Sequence, residues 1–132
     1  MSAAQAPGDV TAFADLPAAP EAARWARRVA AAALGAWNAP AGLTETAVTI
    51  ASELVANASR VAGAPIRLTL RIRPGHVVIE VADDHPALPV ADSPGPDAES
   101  GRGLLIVGAF AKEWGTSPRQ GGGKVTYAVI SQ

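Results

Sequence analysis

Apolar positions recur with two periods along the chain, and the change between them falls near residue 64. Before it the spacing is helical. Pro20 to Trp37 reads as a first helix, with Pro20 and Glu21 suited to its start and Trp25, Val29, Ala32 and Ala33 on its apolar side. Asn38 to Gly42 is a loop, and Thr44 to Val61 reads as a second helix, with Thr44 as N-cap. At about 100° per residue, Ala47, Ile50, Ala51, Leu54, Ala58 and Val61 share one arc. Gly63 and Pro65 close that helix. The period then drops to two. Ile66 to Arg73 alternates strictly, with Ile66, Leu68, Leu70 and Ile72 toward a core and Arg67, Arg71 and Arg73 outward. Pro74-Gly75 is a hairpin turn, and His76 to Asp83 is the return strand, alternating Val77, Ile79 and Val81 with Val78, Glu80 and Ala82. Val10 to Leu16 fits an edge strand, Leu104 to Ala111 a third helix, and Glu113 to Ser117 and Lys124 to Ile130 a final hairpin turning at Pro118 to Gly123.

This order predicts an α+β fold: a two-layer sandwich with a mixed, mostly antiparallel sheet and helices on one face. The small and polar residues 1–9 read as a disordered lead-in, and residues 10–132 as a single domain. Between the second hairpin strand and the third helix, Asp84 to Gly101 holds Pro86, Pro89, Pro94 and Pro96. A connection of that length and composition reads as a functional lid.

Composition narrows the function. A net charge of −1 argues against direct nucleic-acid binding. No apolar run is long enough to span a membrane, and no secretory signal pattern opens the chain. The absence of Cys removes thiolate chemistry and fits a reducing compartment, so a cytoplasmic location is expected.

Candidate chemistry gathers at a few points. Glu53 and Asn57 stand one turn apart, and with Arg60 they form a polar stripe beside the apolar arc. The Asn57 amide oxygen suits a hard cation such as Mg²⁺, and Glu53 could take a proton from an attacking hydroxyl. A plain solvated helix border is the competing reading. Asp83, at a strand end, could accept from an amino group such as that of an adenine, or could simply cap a turn, and Asp84 competes for the inward position. Gly101-Arg102-Gly103-Leu104, placed just before a helix, could bring backbone N–H groups to an anion, or could be loop punctuation. Gly121-Gly122-Gly123-Lys124 reads as a hairpin turn rather than a phosphate loop. Thr126 adds a hydroxyl near the site, and His85 lies where it could line a pocket. Neither His76 nor His85 has a partner at metal-ligand spacing.

Taken in order, ELVANA at 53–58, EVADDHP at 80–86, GRGLLIV at 101–107 and WGTSPRQGGGKVTYAV at 114–129 form a set that resembles the GHKL, or Bergerat-fold, ATP-binding family. More narrowly, the set is similar to its small bacterial branch of anti-sigma factor serine/threonine kinases. The resemblance implies ATP and Mg²⁺ as cofactors, Glu53 as general base and Asn57 as the Mg²⁺ ligand. It also implies Asp83 on the adenine amino group, Gly101, Arg102 and Gly103 over the phosphates, and Thr126 near adenine. Arg60, His85 and Leu104 complete the expected nucleotide-contacting set. The implied function is an ATP-binding regulatory protein that phosphorylates a serine on an antagonist protein, or sequesters a sigma factor. Relatives of that branch often form homodimers. Two residues depart from the pattern: Val61 follows Arg60 where a His is usual, and Asp84-His85 precede Pro86 where a small residue is usual. The alternative function is a nucleotide-binding interaction module without phosphotransfer.

Overall fold

The structure, a computed structural model, describes residues 10–86 and 98–131, with only the backbone described for 98–102. The expected lead-in, most of the expected lid and the side chain of Arg102 lie outside the described residues. In chain order the elements are β1 (Val10–Leu16), α1 (Ala22–Ala36), α2 (Ala41–Ser59), β2 (Ile66–Arg73), β3 (His76–Asp83), α3 (Ala98–Phe110), β4 (Glu113–Pro118) and β5 (Lys124–Ser131). The strands form one five-stranded sheet in the order β1-β2-β3-β5-β4. Every pairing among them is antiparallel. The sheet contains no parallel pair because β5 separates β3 from β4, the two strands that run the same way on either side of α3.

Alternation in the sequence translates directly into the two faces of this sheet. Ile66, Leu68, Leu70 and Ile72 are fully buried, and so are Val77, Ile79, Ala128 and Ile130 from β3 and β5. Arg67 and Arg73 are exposed on the opposite face. There Arg67 reaches the Asp15 carboxylate at 2.8 Å and lies 4.5 Å from the Phe13 ring centroid, clamping β1 to β2. The two-residue turn at Pro74-Gly75 joins Arg73 to its partner His76, with Gly75 at φ +91°.

The helices cover the buried face. On α2, Ala47, Ile50, Ala51, Leu54 and Ala58 are buried as the arc requires, joined by Ser52 and Val55, whereas Val61 lies beyond the helix and is 43% exposed. The helix starts at Ala41, so Thr44 is not its cap. The Thr44 amide already donates to Pro40 O at 3.1 Å, closing the first turn, and its hydroxyl bonds the same carbonyl. On α1 the buried row is Ala22, Ala26, Ala30 and Leu34. Trp25, expected on the apolar side, is 46% exposed with Arg28 stacked 5.0 Å from its ring centroid. A row of alanines lets α1 approach α2 closely, and an indole at that contact would hold the two apart.

Candidate functional site

The C-terminal part of α2 runs toward the β3 end of the sheet. Just past the helix, the Gly63 amide donates to Asp84 Oδ1 at 2.9 Å, tying the end of the helix segment to the residue after β3. This contact decides between the two adjacent carboxylates. Asp84 is exposed and occupied with Gly63, while Asp83 is buried, on the inner face that Val77, Ile79 and Val81 continue.

Asp83 sits in a built environment. Its Oδ1 accepts from the His85 amide at 2.8 Å and from the Lys124 ammonium at 2.9 Å. Lys124 is its direct cross-strand partner, and the two side chains are 3% and 1% exposed. The ammonium also lies 3.4 Å from His85 O, and Arg119 donates from Nη1 to Asp83 O at 3.3 Å. Two charges are thus removed from water together, which is tolerable because each meets an opposite charge and further hydrogen bonds. One acceptor is left over: among the described residues, Asp83 Oδ2 is buried with no hydrogen-bond partner. A buried carboxylate oxygen without a donor is costly unless a ligand supplies one.

The strand end is held in place by the turn before β5. Gly121, Gly122 and Gly123 all have positive φ. Gly123 has an additional reason to be glycine, since a Cβ there would run into the backbone carbonyl of Asp83 and stand 2.9 Å from Asp84 Cα. Next along β5, Thr126 is buried on the same inward-facing register as Lys124, and its hydroxyl accepts from that of Thr116 on β4 at 3.3 Å.

On α2, Glu53 and Asn57 are half-buried and Arg60 is exposed. Arg60 lines a surface depression with Pro20, Ala56 and Ser59. Opposite Glu53 stands α3. The sequence placed Gly101 to Gly103 ahead of the third helix, but α3 begins at Ala98, so all three are helical in backbone. Two helical glycines cost up to about 1 kcal/mol each relative to alanine. Gly103 has a compensating use: a Cβ there would stand 2.8 Å from Glu53 Oε2. Its bareness lets the α3 backbone close directly on the Glu53 carboxylate, with the adjacent Leu104 buried in the core.

The structure therefore brings the expected residues together in two groups. Asp83 and His85 meet at the sheet end, with Thr126 on the same inward face of β5 as Lys124, and Glu53 meets Gly103 where α2 faces α3. Lys124 and Arg119 were absent from the expected set. Lys124 was hidden in a glycine-rich run that reads as a turn, and its partner lies 41 residues away. The only sequence signal for it was its alternation in phase with Thr126, Ala128 and Ile130, which puts a lysine on the core face.

An ATP-type ligand fits these groups. The unpartnered Asp83 Oδ2 wants a donor such as an exocyclic amino group, and the bare α3 backbone at Gly103 lies beside the α2 carboxylate. A Mg²⁺ ion would find the Asn57 amide oxygen on the same helix face. Among the described residues no three His, Cys, Asp or Glu side chains could hold a metal by themselves. A hard cation here would take most of its ligands from phosphate oxygens and water. No described helix is long and apolar enough to cross a membrane.

Comparison with known proteins supplies the name for this arrangement. No curated protein matches the chain significantly. Residues 16–129 match the family model of the histidine kinase-like ATPase domain, a span running from the end of β1 into β5 and containing both groups of site residues. The chain therefore belongs to the histidine kinase-like ATPase domain family.

Proposed function

We propose that this chain is a Mg²⁺-ATP-dependent protein serine/threonine kinase of the anti-sigma factor type, acting on a protein antagonist. The observation that carries the reading is the packing of the Glu53 carboxylate against Gly103. That contact leaves a carboxylate at the junction of two helices on the side where phosphates would lie. ATP would enter with its base at Asp83 and its phosphates toward α2 and α3. Asn57 would hold the Mg²⁺ that neutralises the phosphate charge, and the metal would supply electrostatic stabilisation of the transferring group. Glu53 would accept the proton of the attacking serine hydroxyl, and the γ-phosphoryl would pass from ATP to that oxygen as its bond to the β,γ-bridging oxygen breaks and ADP leaves. Gly101, Arg102 and Gly103 would cover the phosphates, and the chain would work in the cytoplasm beside its sigma factor.

The second reading keeps ATP as a structural ligand of an interaction module. His85 favours it, since it precedes Pro86 at a position where the resembled branch usually carries a small residue. Radiolabelled ATP separates the two when incubated with candidate antagonist proteins. The kinase reading expects label on a serine, and expects Glu53→Ala to lower the rate about 10²–10⁴-fold while ATP affinity stays within a few fold. Transfer by Glu53→Ala at the wild-type rate would remove Glu53 as the base. Tight ATP binding with no label on any antagonist would favour the module.

A further inference from the structure

Ser52, Asp83, Lys124 and Thr126 are the buried polar or charged side chains among the described residues. Three of these four belong to one corner of the sheet, and the Asp83–Lys124 pair is at its centre. A nucleotide pocket needs the carboxylate, but it does not by itself need a buried lysine. Burying an ammonium carries a desolvation cost that an apolar residue of similar volume would avoid.

The geometry gives the lysine a specific task. A lysine ammonium is a point charge with three donors, and it approaches a single carboxylate oxygen. Here it takes Oδ1, which the His85 amide also takes, and it steadies the segment after β3 through His85 O. Both donors fall on the same oxygen. The carboxylate is thereby fixed in rotation, and among the described residues Oδ2 is left as a bare acceptor. We propose that Lys124 is a positioning and specificity-determining residue: by occupying Oδ1 it reserves Oδ2 for a donor, so the pocket accepts a purine with a 6-amino group and rejects a 6-oxo purine. A 6-oxo group would set acceptor against acceptor at Oδ2. This proposal rests on the nucleotide reading of the site.

Arginine is the informative replacement. Its planar fork engages both oxygens of a carboxylate at once. Lys124→Arg keeps the ion pair but consumes Oδ2, whereas a purely structural lysine would be rescued by arginine. The test is calorimetric titration of the full chain with ATP and with inosine triphosphate, both with Mg²⁺, on wild type, Lys124→Arg and Lys124→Met, with thermal melts alongside. Wild type should prefer ATP by at least ~10-fold, the scale of one donor matched against one mismatched. Lys124→Arg should melt cooperatively, lose at least ~10-fold in ATP affinity and keep its affinity for inosine triphosphate. Its preference between the two should therefore vanish. Lys124→Met should also lose the preference, its carboxylate no longer being fixed.

A folded Lys124→Arg or Lys124→Met that retains wild-type affinity and preference overturns the proposal, and so does a wild type that binds both nucleotides equally. If neither variant folds, the structure of wild type with ATP decides. Lys124 Nζ on Oδ1 with the amino group on Oδ2 supports the proposal, and any other donor on Oδ2 overturns it. A wild type that binds neither nucleotide would instead sink the nucleotide reading beneath it.

Discussion

Replacing Gly123 with alanine isolates the contact that fixes Asp83. The backbone at Gly123 has φ +84°, and a left-handed conformation costs an L-residue about 1–2 kcal/mol. A Cβ would also collide with the Asp83 carbonyl and press on Asp84 Cα at 2.9 Å and Asp83 C at 3.1 Å. All three atoms are backbone, so none can swing aside as a flexible side chain would. Overpacking of this kind adds about 1–3 kcal/mol. The total is about 2–5 kcal/mol, or roughly 8–20 °C in Tm for a domain of this size. Gly121→Ala and Gly122→Ala are built-in controls. Their φ values are +90° and +113°, but nothing lies within 4 Å of a Cβ at either position. Each should lose only the conformational part, about 1–2 kcal/mol. The entropy that alanine removes from the unfolded chain is common to all three and cancels in the comparison. Melts of the four proteins followed by circular dichroism measure the differences. If Gly123→Ala loses no more than Gly121→Ala and Gly122→Ala, the turn does not press on the Asp83 backbone as described.

Three further outcomes are expected. Gly103→Ala should fold with Tm unchanged within a few degrees, because a helix gain of about 0.5–1 kcal/mol offsets a forced Glu53 rotamer change of similar cost, and its phosphotransfer rate should fall; an unchanged rate would show that this contact does not aim Glu53. Asp15 carries the pH dependence on the open face of the sheet. The hydrogen bond from Arg67 outweighs the opposing desolvation, the charge of Arg67 adds to it, and together they hold its carboxyl below the usual aspartate range. The folded state therefore binds that proton less readily than the unfolded chain, and the stabilisation is full above the unfolded value of ~3.9 and lost as pH falls through the lowered one. The Tm gap between wild type and Asp15→Asn should be small at neutral pH and close at strongly acidic pH; a gap that widens there would contradict this. Trp25→Ala should cost far less stability than Leu34→Ala, a loss of about 2–5 kcal/mol in urea unfolding, since Leu34 is fully buried and Trp25 is not.

The strands were legible because a period of two maps residues onto faces without knowledge of their neighbours. Ile66 to Ile72 and Val77 to Val81 followed from alternation alone. Helix α1 was harder. Helical spacing puts Trp25 on its apolar side, but close packing against α2 selects the smallest side chains, and Ala22, Ala26 and Ala30 do not stand out in an alanine-rich chain. The choice between Asp83 and Asp84 depends on a one-residue register, which only pairing with Lys124 and capping of Gly63 resolve. The start of α3 is masked in the sequence because glycines signal a helix boundary, whereas one of them here answers to the Glu53 carboxylate across the helix interface. Lys124 was the largest omission at the site, since a lysine is buried only when a distant strand supplies its counter-charge.

The proposed function requires the Asp83 corner and the Glu53–Asn57 face to form one Mg²⁺-ATP site. Calorimetric titration of the full chain with ATP, with and without Mg²⁺, tests it most directly. Saturable binding of one ATP per chain is expected, strengthened by Mg²⁺ and made insensitive to Mg²⁺ by Asn57→Ala. Absence of binding at millimolar ATP, with Mg²⁺ present and the protein folded, would contradict it.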